Sequence, residues 1–388
     1  MFMHNAIKYY MARFLVATFG LVLMLYLIFF ADNDQSLFSM PASIIMRQSK
    51  EESVPRPDVF LSKIYTESIQ RYASSTGLVE SRPGGTVSES QAYGLIMAAG
   101  MDDKVQFDKM WGWASSSIQR SDGTFSWLWE DGQVRDPNAA TDADQDIAYA
   151  LIQAYERWGD EQYRTDALRV LDGMWNELTW LSGGVRYVTG GNWAKSDPSG
   201  IVINPSYLSP YLYTVFTEFD TRHDWNSLVS SSYLALNKCR GIANLPQDWC
   251  KIKPTGVTST EYVAMRKSGD FAWEAMRVPF RIAQHHAVDP NEEALVILRP
   301  IMSTLERDWE RQGKIFATYA SSGVPTANYE HRAMYGSALA AFCILRPHEA
   351  KEMYQQKIIT TDLTTLDFYQ LAWLWFGVDF YNKWCWVK

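Results

Sequence analysis

Three acids alternate through Ala140-Thr141-Asp142-Ala143-Asp144-Gln145-Asp146-Ile147-Ala148-Tyr149, at the point where an apolar helical pattern begins. Ala148, Leu151, Ile152 and Tyr155 keep one face, and the pattern ends near Trp158-Gly159-Asp160. A carboxylate among small and apolar residues is expensive to bury unless it is paired or used. The fold must therefore bring partners to these acids inside the molecule. About fifty residues earlier, Val87-Ser88-Glu89-Ser90-Gln91-Ala92-Tyr93-Gly94 sets the same problem, with Leu95, Ile96, Ala98 and Ala99 behind Glu89. Plainer accounts exist for each motif. A helix N-terminus favours Glu89 where it stands, and Thr141 or Asp142 suits an N-cap. One cap explains one acid, not three. The D-x-D-x-D spacing also opens an EF-hand loop, but Ile147 and Gln153 occupy the positions where that loop needs Gly and Glu, so calcium is excluded.

A third region, Gly269-Asp270-Phe271-Ala272-Trp273-Glu274-Ala275-Met276-Arg277-Val278-Pro279-Phe280-Arg281, adds charge between apolar residues. If helical, it puts Glu274, Arg277 and Arg281 on one face, and Asp270 with Glu274. Carboxylates gathered from distant parts of a chain are the equipment of glycoside hydrolysis. Aromatic residues make up 14% of the chain, with 16 Trp and 21 Tyr, enough to line a cleft with rings that stack on sugars as well as to pack a core. The net charge of −8 argues against a nucleic-acid partner. Four cysteines are too few for a disulfide scaffold. Cys239 and Cys250 suit a bridge in an oxidising compartment, whereas Cys343 reads as a small buried hydrophobe and Cys385 is uninformative. Among the six His only the adjacent His285-His286 stand close, a poor metal pair, so no metal or cofactor is expected.

Residues 14–31 are uncharged and mostly apolar, at the lower limit for a transmembrane helix. Lys8 and Arg13 precede the run and Asp32 and Asp34 follow it, which predicts a cytoplasmic N-terminus over 1–13 and export of the remainder. A cleaved signal peptide is the rival, but the run ends Leu27-Ile28-Phe29-Phe30-Ala31, without small residues before a cut, which favours an uncleaved signal anchor. Residues 32–57, polar and Pro-bearing, read as a linker. Residues 58–388 read as one mostly helical domain, with helices over 162–178, 209–219, 226–236, 291–312, 331–345 and 364–376 and a short hairpin arm at Gly184–Val188.

Ser88-Glu89-Ser90-Gln91-Ala92-Tyr93-Gly94-Leu95 resembles the S-E-G-Q-x-Y-G-M motif of glycoside hydrolase family 8, and Ala140–Ala148 resembles that family's A-[ST]-D-[AG]-D-x-x-I-A signature. Asp103–Trp113 followed by Phe125–Trp129 is similar to its aromatic stretch, Asn204-Pro205-Ser206-Tyr207 to its N-P-S-Y, and Trp273–Pro279 to its Y-D-A-x-R-x-P. The resemblance runs in order over residues 60–385. It implies an all-α, (α/α)6 barrel of paired helices, here behind an N-terminal transmembrane helix. It also implies inverting hydrolysis of β-1,4-linked polysaccharides without a cofactor. By the same resemblance Glu89 is the general acid, Asp142 holds the distorted sugar and the water, and Asp144 and Asp146 brace the site, Asp144 within the substrate-binding set. Trp127, Trp129 and Tyr207 are expected at the sugar, and Arg277 beside Glu274 or a hydroxyl.

Glu274 stands where the motif has its Asp, the base in many family members. It is one methylene longer, so the base is either Glu274 or Asp270, and Trp273 replaces the motif's Tyr on the same wall. The expectation is a membrane-anchored endo-β-1,4-glucanase facing the periplasm or exterior, trimming a glucan as it leaves the cell beside a polysaccharide synthase complex. A chitosanase or xylanase of the same fold, and a catalytically degenerate polysaccharide-binding protein, are the alternatives.

Overall fold

The computed structural model describes residues 56–196, 200–253, 258–259 and 269–386. The expected N-terminus, anchor and linker up to residue 55 lie outside them. Among the described residues no helix is long and apolar enough to cross a membrane.

Twelve α-helices are described: α1 Pro57–Tyr72, α2 Ser88–Gly100, α3 Lys104–Ser117, α4 Thr141–Trp158, α5 Glu161–Glu177, α6 Pro210–Phe219, α7 Asn226–Lys238, α8 Val278–Val288, α9 Glu292–Gln312, α10 Arg332–Leu345, α11 Pro347–Met353 and α12 Phe368–Trp384. Their ends follow local chemistry. Proline opens α1, α6 and α11, where its missing N–H costs nothing. Asp103, Asp160, Asn291 and Asp367 cap α3, α5, α9 and α12 with side-chain oxygens. Gly159 and Gly313 end α4 and α9 in the left-handed conformation.

The even-numbered helices touch one another in sequence, α2 to α4, α6, α8, α10, α12 and back to α2, which closes an inner ring. Each outer helix packs on one inner neighbour: α3 on α2, α5 on α4, α7 on α6, α9 on α8, α11 on α10 and α1 on α12. The result is a helical barrel. An inner helix enclosed on all sides has no solvent face to make polar: in α2 every residue from Gln91 to Ala99 is buried.

Closure depends on one close approach. A Cβ added to Gly336 in α10 would lie 2.1 Å from the Trp373 carbonyl oxygen, and one on Gly377 in α12 would lie 2.1 Å from the Gly336 carbonyl. Both obstacles are backbone and cannot rotate away. Gly336→Ala is expected to cost about 1–3 kcal/mol, read as a fall of several degrees in the melting temperature.

Short strands supply the loops at one end of the barrel. β1 (Gly85–Val87), β2 (Leu128–Glu130) and β3 (Gln133–Asp136) form an antiparallel sheet in which Val87 pairs with Leu128 and Thr86 with Trp129. β4 (Thr179–Ser182) and β5 (Val185–Val188) make the expected hairpin, with Gly183 and Gly184 at positive φ in its turn. β6 (Ile201–Ile203), β7 (Cys250–Ile252) and β8 (Thr258–Ser259) form a third antiparallel sheet.

Several expectations need correction. Residues 269–274 are not helical: Phe271 bridges Tyr319, a 3-10 turn spans Ala275–Arg277, and α8 begins only at Val278. Asp270 and Glu274 therefore share no helical face. The helix expected at 364–376 is a 3-10 turn, Leu363–Thr365, followed by α12 from Phe368, because Asp367 caps it there. Cys343 and Cys385 are joined, as are Cys239 and Cys250. Cys343 ends α10 beside the end of α12, so the neighbouring inner helices bring together residues 42 apart, a proximity that a local apolar pattern does not reveal.

Candidate active site

The acidic motifs meet at the N-terminal ends of the inner helices. β1 runs directly into α2, so Glu89 occupies the first turn of a helix whose Ser88 N–H is held by the Trp127 carbonyl (2.9 Å). No side chain caps α2, and none caps α4, whose cap position is Ala140. Thr141 instead donates its hydroxyl to the Thr189 carbonyl (2.7 Å). Neither Thr141 nor Asp142 therefore caps α4, whereas Glu89 does stand in the first turn of α2, where a helix N-terminus favours a carboxylate.

Asp142 has no exposed surface, and its Oδ2 accepts a 2.6 Å bond from Arg277. The same guanidinium bonds the Glu274 carboxylate and donates to the Tyr93 hydroxyl (3.3 Å). One turn further along α4, and one turn into α8 from its N-cap Arg277, Arg281 pairs with Asp146 at 2.5 Å. Asp142 with Asp146 and Arg277 with Arg281 are i, i+4 pairs, so α4 and α8 face each other through two charged rungs. Burial of this charge is tolerable only because each carboxylate has a guanidinium. Asp146 thus braces the barrel. Asp144, also fully buried, accepts the Phe125 N–H (2.9 Å) and holds the loop that carries Trp127. It lies beneath the cleft wall rather than on its surface.

Electrostatics separate the acids. Burial, then the nearby Asp142 carboxylate, pushes the Glu89 pKa up to about 8. Asp142 is raised to about 6, mainly by burial, with Arg277 opposing the rise. A carboxyl group inclined to keep its proton therefore sits beside a guanidinium bonded to two other carboxylates, the division of labour that acid–base hydrolysis needs.

Asn204, first residue of the N-P-S-Y segment, accepts from the Ser206 N–H (3.0 Å) and hydroxyl (2.7 Å) and donates Nδ2 to Glu274 Oε2 (3.0 Å). Glu274 is thereby held from two sides, by Asn204 and Arg277. Among the described residues the Asp270 carboxylate has no hydrogen bond or ion pair, and its backbone carbonyl accepts the Asp248 N–H (3.0 Å). The geometry favours Glu274 over Asp270 as the partner of Asp142 and Glu89. Trp273, in the wall position, packs on His331 with ring centroids 4.8 Å apart, and its carbonyl takes the Tyr369 hydroxyl (3.0 Å).

The expected aromatic residues divide. Tyr207 is buried under the Arg277 guanidinium, 5.4 Å from the ring centroid, and is well placed at the carboxylates. Trp127 is half-buried at the mouth of α2, and Trp129, in β2, packs edge-on against Trp113 at 5.4 Å. Two half-buried rings that sequence reading passed over extend the wall beside Tyr207: Trp249 (5.8 Å from Tyr207) and Trp193 (5.9 Å from Trp249). The signal for them was Gly190-Gly191. A Cβ on Gly190 would lie 2.7 Å from Trp249, and one on Gly191 2.5 Å from the Trp193 nitrogen.

A helical barrel with paired carboxylates and an aromatic wall at the N-terminal ends of its inner helices defines a glycoside hydrolase. Residues 70–362 match the family described as "Glycosyl hydrolases family 8", and the chain belongs to that family. It is similar to Endoglucanase 2 of Ruminiclostridium josui, 30% identical over 206 residues, which are 51% of this chain and 42% of that protein. The chain thus spans less than half the length of this relative. It is also similar to a probable endoglucanase of Novacetimonas hansenii, 29% identical over 246 residues, 61% of this chain and 70% of that one. The solved endo-β-1,4-glucanase CMCax from Acetobacter xylinum shares the fold at a TM-score of 0.69 and 22% identity, covering 84% of this chain and 99% of its own.

Proposed function

We propose that the protein is an inverting endo-β-1,4-glucanase, with Glu89 as general acid and Glu274 as general base. The observation that carries this reading is the contrast between Glu89, whose proton is retained to about pH 8, and the Asp142–Arg277–Glu274 cluster, where the guanidinium bonds both carboxylates. Glu89 protonates the leaving oxygen. Glu274, oriented by Asn204 and Arg277, takes a proton from water on the opposite face of the sugar. Asp142 shares the Arg277 guanidinium with Glu274 and is close enough to Glu89 to raise its pKa, which suits it to hold the distorted sugar between them. The half-buried Trp249, Trp193 and Trp127 supply stacking surfaces, with Tyr207 packed beneath Arg277 and Trp249. Relatives named endoglucanases support a β-1,4-glucan as the polymer.

The protein acts outside the cytoplasm, tethered to the inner membrane by residues 14–31 and working beside a polysaccharide synthase complex. The apolar run and its flanking charges support the tether. Two disulfides, Cys239–Cys250 and Cys343–Cys385, suit an oxidising compartment.

The deciding experiment offers carboxymethyl-cellulose, xylan and chitosan to the full chain and follows the first products by proton NMR. Cellulose cleavage with α-configured new ends is expected. β-Configured ends would exclude inversion, and preferential release from xylan or chitosan would reassign the polymer. Binding without release from any of the three would mark a polysaccharide-binding protein with a retired site.

A further inference from the structure

The loop that carries Glu274 has no helix of its own to hold it. Met276 N donates to the Ala272 carbonyl (3.0 Å) and Arg277 N to the Glu274 carbonyl (3.1 Å). The amides of Ala272, Glu274 and Ala275 turn the other way, toward one carboxylate oxygen. Asp248 Oδ1 accepts all three, at 3.1, 3.1 and 2.8 Å. The Asp248 backbone N–H returns to the Asp270 carbonyl (3.0 Å), so this one residue grips the loop at both ends.

Asp248 is itself anchored. The preceding Gln247 N–H bonds the Cys239 carbonyl (3.2 Å), and two residues beyond Asp248, Cys250 is joined to Cys239 and opens β7. Between them, Trp249 packs against Tyr207 and Trp193. Three consecutive residues therefore fix the loop, the aromatic wall and a covalent tie. Glu274 is one methylene longer than the Asp of the motif it resembles, so where its backbone stands decides where its carboxylate reaches.

We propose that Asp248 is a positioning residue for hydrolysis. By collecting the amides of Ala272, Glu274 and Ala275, it sets the backbone of Glu274 so that the longer side chain ends between Asn204 and Arg277. The Cys239–Cys250 disulfide keeps Asp248 in place. This rests on Glu274 as the base. Without Asp248 three amides lose their acceptor, and the loop is free to move by the ångström or so that separates productive from unproductive geometry.

The test compares Asp248→Ala, Asp248→Asn and Glu274→Gln in the full chain, with kcat and KM on carboxymethyl-cellulose and thermal melts of each. Asn keeps an oxygen at the Oδ1 position, so it serves as the conservative rescue. Asp248→Ala is expected to lower kcat by about 10- to 100-fold with KM within about twofold of wild type. Asp248→Asn should recover most of that rate, and Glu274→Gln should be inactive. If Asp248→Ala keeps wild-type kcat while Glu274→Gln is dead, the positioning role is overturned and the base survives. An Ala variant that loses kcat and melting temperature together, with no recovery in Asn, overturns the positioning role in favour of a merely structural one. If Glu274→Gln itself turns over normally, the base assignment falls, and this inference falls with it.

Discussion

Glu89→Gln is expected to stop turnover while leaving the barrel folded, a loss of about 100- to 10,000-fold in kcat, the usual worth of a positioned proton donor. Gln keeps the shape of the side chain and removes only the proton and the charge. The Glu89 carboxyl is pushed to about 8 by burial and by Asp142, so the wild-type enzyme carries the transferable proton below that pH and loses it above. The rate should therefore fall on the alkaline side with a midpoint near 8, and that limb should vanish from whatever residual activity the variant retains. The stability sign runs the opposite way. A carboxyl whose folded pKa lies above its unfolded value costs stability as pH rises through that interval. Gln carries no such cost, so the variant should melt at or above wild type near neutral pH. Wild-type rates in Glu89→Gln would sink the acid assignment. A dead variant that also melts far below wild type would mean that the residue holds the fold.

The parts of this site that were legible in the sequence share one property: their meaning is local. Glu89 and Asp142 each lie in the first turn of an apolar inner helix, where an acid has to be explained, so residues about fifty apart drew attention without any knowledge of the ring that joins them. The hairpin at Val185–Val188 was legible from its glycines, and most helices from their apolar spacing. What was not legible is carried by contacts between segments. The pairing of Arg277 with Asp142 spans 135 residues, and the grip of Asp248 on the 272–275 amides spans 24–27. Strands of three or four residues are too short to show a period of two, so the sheet that sets Trp129 opposite Thr86 left no pattern. The condition that 269–281 be helical fails in its first half for a specific reason. The charges of this segment do fall at helical intervals, but the amides that would start the helix are claimed by Asp248, which lies outside the window.

Arg277→Met carries the largest expected effect of any single substitution outside the acid itself. Met fills similar space but leaves Asp142 fully buried and Glu274 half-buried without their shared cation. Removing one partner of a buried ion pair costs about 3–5 kcal/mol, because the remaining charge stays desolvated. Two carboxylates depend on this guanidinium, so the upper end is expected. The pH dependence identifies the cause. Asp142 already lies above its ordinary 3.8, at about 6, with Arg277 holding it down. Losing that cation raises the folded value further while the unfolded value stays put. The extra destabilisation is then nearly absent at about pH 4, where the folded carboxyl holds its proton with or without the cation, and grows as pH rises through the interval. The deficit in melting temperature should be small at about pH 4 and large near pH 8, and kcat should fall by at least about 100-fold because Glu274 loses one of its two anchors. Arg277→Lys separates charge from geometry. A lysine restores the cation but not a planar fork that reaches two carboxylates, so it should recover most of the melting temperature and little of the rate. Equal recovery of both would mean that Arg277 acts only as a counter-charge and that Asn204 alone suffices to aim Glu274.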